Sequence, residues 1–492
     1  MAEIDAIVVG SGPNGLAAAV TLARAGLRVV VYERNSTIGG GSRTAELTLP
    51  GFLHDICSAV HPMALASGFF RRFQLDRRIT LAVPEISYGH PLDGGRAGIA
   101  WRDIGRTADG LGVDGAAWKQ LMGPLAANAD RVAQFTGSQL LQVPRHPLTV
   151  AAFGLRVLEQ GLPTWNLRFT GDVAPSMLTG VAAHSIRPMP SLSTAAAALS
   201  LGTYAHARGW PIPIGGSQAI IDALADDLRA HGGEIITDTE IQSLDDLPDS
   251  TAVLLDVSAK ALLRLATLPP SYVRRVERFT FGNAVAKVDF ALSGPVPWTN
   301  DDLRRAGTLH VGGTRAEIAG SEADVAAGRH SDNPYVLVAQ PSLADPSRAP
   351  AGAHVLWAYT HVPRNSPLDQ TEAITRQIER FAPGFRDLIL ASSSLSAQDM
   401  ENHNPNYVGG DIASGTASVR QLLARPVLSP EPWRTPAPGV YLCSSSTPPG
   451  PGVHGMAGWH AARSALRHEF GIRQAPDLSP SPDQTRSSDL AP

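Results

Sequence analysis

The sequence predicts an α/β fold: one domain that opens on a strand–turn–helix–strand unit, a second domain of mixed α+β character, and a helical insertion. Three observations carry that expectation. AIVVGSGPNGLAAAVTLARAGLRVVVYE (Ala6 to Glu33) sets an apolar run, a glycine turn, an Ala/Leu-rich helical segment and a second apolar run in order. Between Trp101 and Ala207 the text is Leu/Ala-rich, with helical spacing broken by prolines. From Ala284 onward, AVAKVDFAL, TLHVGG, YVLVAQPS and HVLWAYTHV alternate apolar and polar residues at the strand period.

The first unit is the most informative. Gly10, Gly12 and Gly15 form GxGxxG between a strand and a helix, the context a dinucleotide-binding turn requires. Gly10 permits the tight turn, Gly12 lets backbone approach a pyrophosphate, and Gly15 lets helix and strand pack closely. The helix N-terminus adds free N–H groups and the positive end of its dipole. Glu33 ends the second strand, where a carboxylate accepts hydrogen bonds from both ribose hydroxyls and repels a 2′-phosphate, so NADP is disfavoured. Gly39, Gly40 and Gly41 then suggest a second backbone cradle beside the same nucleotide.

Further along, Pro211 to Leu244 returns to the α/β pattern through a Gly-Gly turn, an amphipathic helix, a Gly-Gly stop and a β-branched strand. Ala252 to Val257 supplies another short buried strand, and RQIERFAPGFRDLIL reads as a helix with a proline break. Gly439 to Ser446 reads as a strand running into a PGPGV turn and a closing helix, whose positive end suits negative charge. The Pro/Ser/Asp-rich end from about Gln474 reads as disordered.

With 492 residues, 43% of them hydrophobic, the chain can bury a large core in two or three domains. A net charge of -4 without a long basic run argues against nucleic acid as a partner. RRFQLDRR (Arg71 to Arg78) is short and interrupted by Asp76; it reads as a solvated surface, with anionic lipid or substrate as the alternative. Two cysteines, Cys57 and Cys443, exclude a disulfide framework, and no second ligand pair joins His54 and Asp55, so no metal is expected. The absence of a GxSxG elbow argues against a hydrolase. A first strand starting at Ile4 and the lack of an apolar run of about 20 residues lead to the expectation of a cytoplasmic protein, at most peripheral on a membrane.

GSGPNG, Glu33, GGGSRT and PGVYLCSSSTPPGPGVHGMAGWHAA, with LHDICSAVHPM, WPIPIGGSQAI and NYVGGDI between them, resemble the phytoene desaturase-like branch of the FAD-dependent amine oxidase/carotenoid desaturase superfamily. The resemblance spans nearly the whole chain. It implies a Rossmann-like FAD-binding domain over 1–95, 208–283 and 395–470 and a substrate-binding domain with the helical insertion over 96–207 and 284–394, which leaves 474–492 as the tail that composition reads as disordered. It places Gly10, Gly12 and Gly15 at the pyrophosphate, Glu33 at the adenosine ribose, and Gly40, Ser42 and Arg43 toward the flavin. Ile241, in the strand after the Gly-Gly helix, would meet adenine through its backbone, and Gly452, Val453 and His454 would lie at the flavin end. Pro13, Asn14, Arg34, Gly41 and Ser445 complete the implied cofactor-binding set. Ser444, Ser445 and Ser446 stand where the family commonly has a glycine-rich run.

The implied activity is hydride transfer from an apolar lipid- or isoprenoid-like substrate to the flavin, with desaturation of a carbon–carbon bond. Saturation and isomerisation are equally compatible with these residues. His454 and His61 are the candidate acid/base residues, each with a structural role as the alternative reading. The electron acceptor, whether oxygen, quinone or NAD, is left open. A flavin amine oxidase is the competing enzyme: it would call for a lysine near the flavin, from Lys119, Lys260 or Lys287, and for aromatic walls that 6% aromatic content disfavours. Prenyl-binding proteins of the same fold, such as the Rab escort proteins, are a third reading, against which the intact glycines and Glu33 count.

Overall fold

The computed structural model describes residues 4–480 and is organised by two sheets. The first is parallel, with strand order Val440–Leu442, Ser250–Leu255, Ile4–Val9, Val29–Tyr32 and Glu234–Ile236. Ile4–Val9 lies at its centre with both faces covered, which is why its apolar run is continuous: Ala6, Ile7 and Val8 are fully buried. Helix Pro13–Ala23 covers one face and is itself covered by helix Met456–His468. Their approach is close, since a Cβ on Gly458 would lie 1.8 Å from the Asn14 carbonyl oxygen.

The second sheet has seven strands, in the order Ile389–Leu395, Ala284–Leu292, His354–Val362, Val336–Ala339, Thr308–Val311, Ile86–Pro91 and Ala97–Trp101. Its pairings are antiparallel except that between Thr308–Val311 and Ile86–Pro91. One face sends Val288, Phe290, Leu309, Val338 and Leu356 into a core shared with helix Thr371–Glu379. On the other face the register aligns Thr308, Ala339, Trp357 and Asp289 in one row, and His310, Leu337, Tyr359 and Lys287 in the next. Helices from Ile104–Gly110 to Leu192–Ala207 build a separate core around Trp118, Leu121, Met177 and Leu199.

Several elements differ from the sequence reading. The helical insertion begins after strand Ala97–Trp101, and Ile86–Pro91, which precedes the boundary drawn at 95, pairs in the second sheet. RQIERFAPGFRDLIL is a helix only to Glu379; its last residues enter strand Ile389–Leu395, which pairs with Ala284–Leu292. Ile241 is not in a strand, because Glu234–Ile236 ends two residues before Asp238, whose φ of 54° turns the chain away. The expected disordered tail is packed over its described part: Leu478 is buried, and the Arg24 and Arg78 guanidiniums donate to the Ser479 and Leu478 carbonyl oxygens. Residues 481–492 of that expectation lie outside the described residues. Among the described residues, no helix is long and apolar enough to cross a membrane.

Candidate active site

The parallel strands Ile4–Val9, Val29–Tyr32 and Ser250–Leu255 deliver Gly10, Glu33 and Asp256 to one edge of the sheet, where doubly wound folds bind ligands. A cavity of about 760 Å³ starts there and reaches the face of the second sheet that carries Thr308, Ala339 and Trp357. At its nucleotide end Gly10 has φ 99°, and a Cβ on Gly12 would meet Asp256 Oδ2 at 2.6 Å. A Cβ on Gly15 would lie 2.1 Å from the Gly10 carbonyl oxygen, so the turn admits no side chain at these places. Gly40 closes the cradle from the other side, its Cβ position 3.2 Å from Gly12 Cα.

Glu33 is buried beside this turn. Its Oε2 accepts from Ser11 N (3.0 Å) and Ser11 Oγ (2.6 Å), and its Oε1 accepts from Asn35 N and Nδ2 (both 2.9 Å). The carboxylate therefore also pins the glycine turn. Pro13, Asn14, Arg34, Gly41, Ser42, Arg43, Ile241, Ser445, Gly452 and Val453 line the same cavity, Ile241 from a loop. Arg43 is turned toward the protein: its guanidinium donates to Gly40 O (3.0 Å) and Thr37 Oγ1 (2.9 Å) and contacts His403 Nε2 (2.7 Å). It braces the glycine run. A dinucleotide fits this end: the glycine backbones leave room for phosphates, and Asn14 Oδ1 and Ser42 Oγ are buried without a protein partner.

The two histidines separate. His61 lines the cavity, and burial holds its imidazole down to a pKa of about 4, with the Asp55 charge opposing. Its Nε2 lies 2.8 Å from Ser217 Oγ. His454 is fully buried and is not among the cavity-lining residues, although its neighbours Gly452 and Val453 are. Its Nδ1 accepts the Met456 amide at 3.0 Å and its Nε2 donates to the Gly450 carbonyl at 3.1 Å, so both ring nitrogens are committed to the start of the closing helix. The reason is local: Gly455, with φ 65°, folds the chain so that the ring turns back on its own turn.

Lys287 is also committed, in a buried ion pair with Asp289, and does not line the cavity. His54 and Asp55 are held by Thr48 Oγ1 and by the Arg348 guanidinium, and no metal-binding cluster occurs among the described residues. Sequence reasoning missed four residues at the cavity. Asp256 lies half-buried under the glycine turn, where loss of solvent pushes its carboxyl up to about 7. Trp357 and Tyr359, an edge-on pair with centroids 5.1 Å apart, and Tyr407, whose hydroxyl abuts Gly41, form aromatic wall. The acid that closes AVLLDV and the alternate aromatics in HVLWAYTHV were the signals available.

Comparisons with known proteins agree with this geometry. Residues 14–466 match the family described as flavin containing amine oxidoreductase. The chain is 25% identical to pyridine nucleotide-disulfide oxidoreductase domain-containing protein 2 of Rattus norvegicus, with 94% of each chain covered. It is also 25% identical to an uncharacterized protein of Mycobacterium tuberculosis, covering 96% of this chain and 99% of that one. Among solved structures, putrescine oxidase bound to putrescine is similar in fold, with a TM-score of 0.60 at 18% identity over 94% of this chain and 98% of that one. Cyclohexylamine oxidase from Brevibacterium oxydans gives 0.57 at 15% identity, over 94% and 99%. With a glycine cradle, a buried carboxylate beside it and a match that runs through both sheets, the chain belongs to the flavin-containing amine oxidoreductase family and uses FAD as its cofactor.

Proposed function

We propose that this flavoenzyme desaturates a carbon–carbon bond of an apolar, lipid- or isoprenoid-like substrate. The carrying observation is where charge lies in the cavity. Its carboxylates, Glu33, Glu240 and Asp256, are all at the nucleotide end. The other end is walled by Ala59, Val60, Ile186, Leu201, Leu337 and Ala339 with Trp210, Trp357 and Tyr359. An ammonium group there would be desolvated without a carboxylate partner, which is costly, whereas an apolar chain gains from the same walls.

FAD, when bound, supplies a two-electron hydride acceptor. The protein's residues do the rest. The Gly10–Gly15 turn and the helix behind it would hold the pyrophosphate, and the apolar walls would exclude water. His61 is the residue suited to take a proton: Ser217 Oγ donates its hydrogen to the Ser58 carbonyl, so it accepts from His61 Nε2–H, which leaves Nδ1 unprotonated, 3.5 Å from Ser58 Oγ. His61 Nδ1 would take the proton from one substrate carbon, bound FAD would supply the acceptor for the hydride of its neighbour so that the double bond forms between the two carbons, and an external acceptor of the oxygen, quinone or NAD class would take up the two electrons.

A flavin amine oxidase is the second reading, favoured by the Trp357, Tyr359 and Tyr407 rings, which can face a cation. Anaerobic mixing of the FAD-loaded enzyme with polyenes or long-chain lipids is expected to bleach the flavin and yield a product two hydrogens poorer. Bleaching by primary amines with none by apolar substrates would overturn the desaturase reading.

A further inference from the structure

One segment, 141–167, leaves large apolar side chains in solvent: Val143 is 94% exposed, Leu148 85%, Leu155 67% and Leu167 80%, with Leu158 and Leu162 also exposed. Most of it is helix Pro147–Gly161, which buries Phe153 and Gln160 on its inner side. Leu148, Leu155 and Leu158 share the outer side of the helix over about 15 Å at 1.5 Å per residue, and Leu162, the extended residue that caps the helix, is exposed at its end. A contiguous apolar face of this kind marks an interaction surface.

Charge identifies what it meets. Arg145 stands between Val143 and the helix, near enough to Arg72 that the positive charges of Arg463, Arg71 and Arg145 all act on that guanidinium. Gly137, at the entry to this segment, accepts a hydrogen bond from His460 at 3.0 Å, which ties the segment to the helix that carries Arg463. Arg71 shares Asp130 with Arg208, but Arg72, Arg145 and Arg463 have no carboxylate partner among the described residues. An apolar stripe beside uncompensated arginines matches the two terms that hold a protein on an anionic bilayer: buried apolar area and headgroup attraction.

We propose that the 141–167 face lies on an anionic lipid surface, with the leucine stripe entering the acyl boundary and Arg72, Arg145 and Arg463 meeting headgroup phosphates. A second copy is the poorer occupant, because a twofold contact through this face would bring two arginine clusters together.

Cosedimentation of the FAD-loaded chain with vesicles of equal parts phosphatidylglycerol and phosphatidylcholine is expected to show salt-sensitive binding, much weaker with phosphatidylcholine alone. Arg72→Gln with Arg145→Gln should weaken binding by about 30-fold, and Leu148→Asp with Leu155→Asp should abolish it. Both variants should keep their flavin and thermal stability, since the altered side chains are exposed. Vesicle binding that survives the leucine exchange, or that is equal on neutral vesicles, overturns the proposal. So does a dimer, seen by sedimentation equilibrium without vesicle binding, that the leucine exchange splits. No substrate is present in these measurements, so their outcome is separate from that of the desaturation test.

Discussion

Asp256 Oδ2 accepts the Gly15 amide at 2.9 Å, which wedges a half-buried carboxyl beneath the glycine turn. Burial raises its pKa to about 7, the Gly15 N–H opposes, and the Glu33 charge adds to the rise. Ionisation puts negative charge beside a pyrophosphate, so FAD affinity is expected to fall as pH rises through about 7. Asp256→Asn should flatten that dependence. Fluorescence titration of the apoprotein below and above this pH checks it; identical pH profiles for both proteins would rule the coupling out.

Gly12→Val is expected to give colourless protein, because its Cβ would sit 2.6 Å from Asp256 Oδ2 and its methyl groups would fill the phosphate cradle. Gly15→Ala, directed at the Gly10 carbonyl, should lose flavin and also destabilise the fold by about 1–3 kcal/mol. The flavin-to-protein ratio and thermal unfolding read the two effects separately.

Glu33→Ala removes the acceptor for four hydrogen bonds around the turn. Each donor left unsatisfied in a buried place costs about 1–3 kcal/mol, so weaker FAD binding and a lower Tm are expected together. Flavin reduction at saturating FAD should be unchanged. A changed reduction rate with affinity intact would contradict this role.

His61→Ala is expected to slow flavin reduction by about 100-fold to 10,000-fold while FAD is retained. His454→Ala should lower the Tm, since the start of helix Met456–His468 loses its imidazole cap, worth about 1 kcal/mol, and should leave reduction of the holoenzyme intact. Rapid-mixing kinetics on both variants decides; the opposite pattern would return the chemistry to His454.

Burial holds His61, His206 and His454 at pKa values of about 4 and His184 at about 3. In an unfolded chain the same groups titrate at about 6.5. Between these values the unfolded state binds more protons, so stability is expected to fall as pH drops from about 6.5 toward about 4. Asp256, Asp289 and Asp411, with raised pKa values, work in the opposite direction, but His54, His90, His403 and His460 are held low as well, so the lowered histidines outnumber them. Thermal unfolding at stepped pH measures the sum, and a flat profile over that window would contradict it.

The parts legible in the sequence are those whose cause is local. GxGxxG needs its glycines because a Cβ at each position meets neighbouring atoms, and the strand alternation from Ala284 follows from one face being core and the other cavity. Ile241 and the first described residues of the tail went astray for reasons outside their own text. A left-handed Asp238 ended one strand early, and two arginines at least 400 residues away in sequence hold the backbone of the other. His454 shows a third limit: its place in the PGPG turn was readable, but the direction of its ring depended on Gly455. Asp256, Trp357 and Tyr407 come from separate segments, and only the assembled sheets bring them to one cavity.

The strand register described for the second sheet divides labour between odd and even positions. Thr308, Ala339 and Trp357 can change size, and so reshape the bore, without disturbing Leu309, Val338 and Leu356, which hold the opposite core. A single deletion within one of these strands has the reverse effect, because it exchanges the two tracks downstream and buries a bore residue in the core. Variants that alter what the enzyme accepts should therefore accumulate as point substitutions at every second residue, with strand lengths held constant.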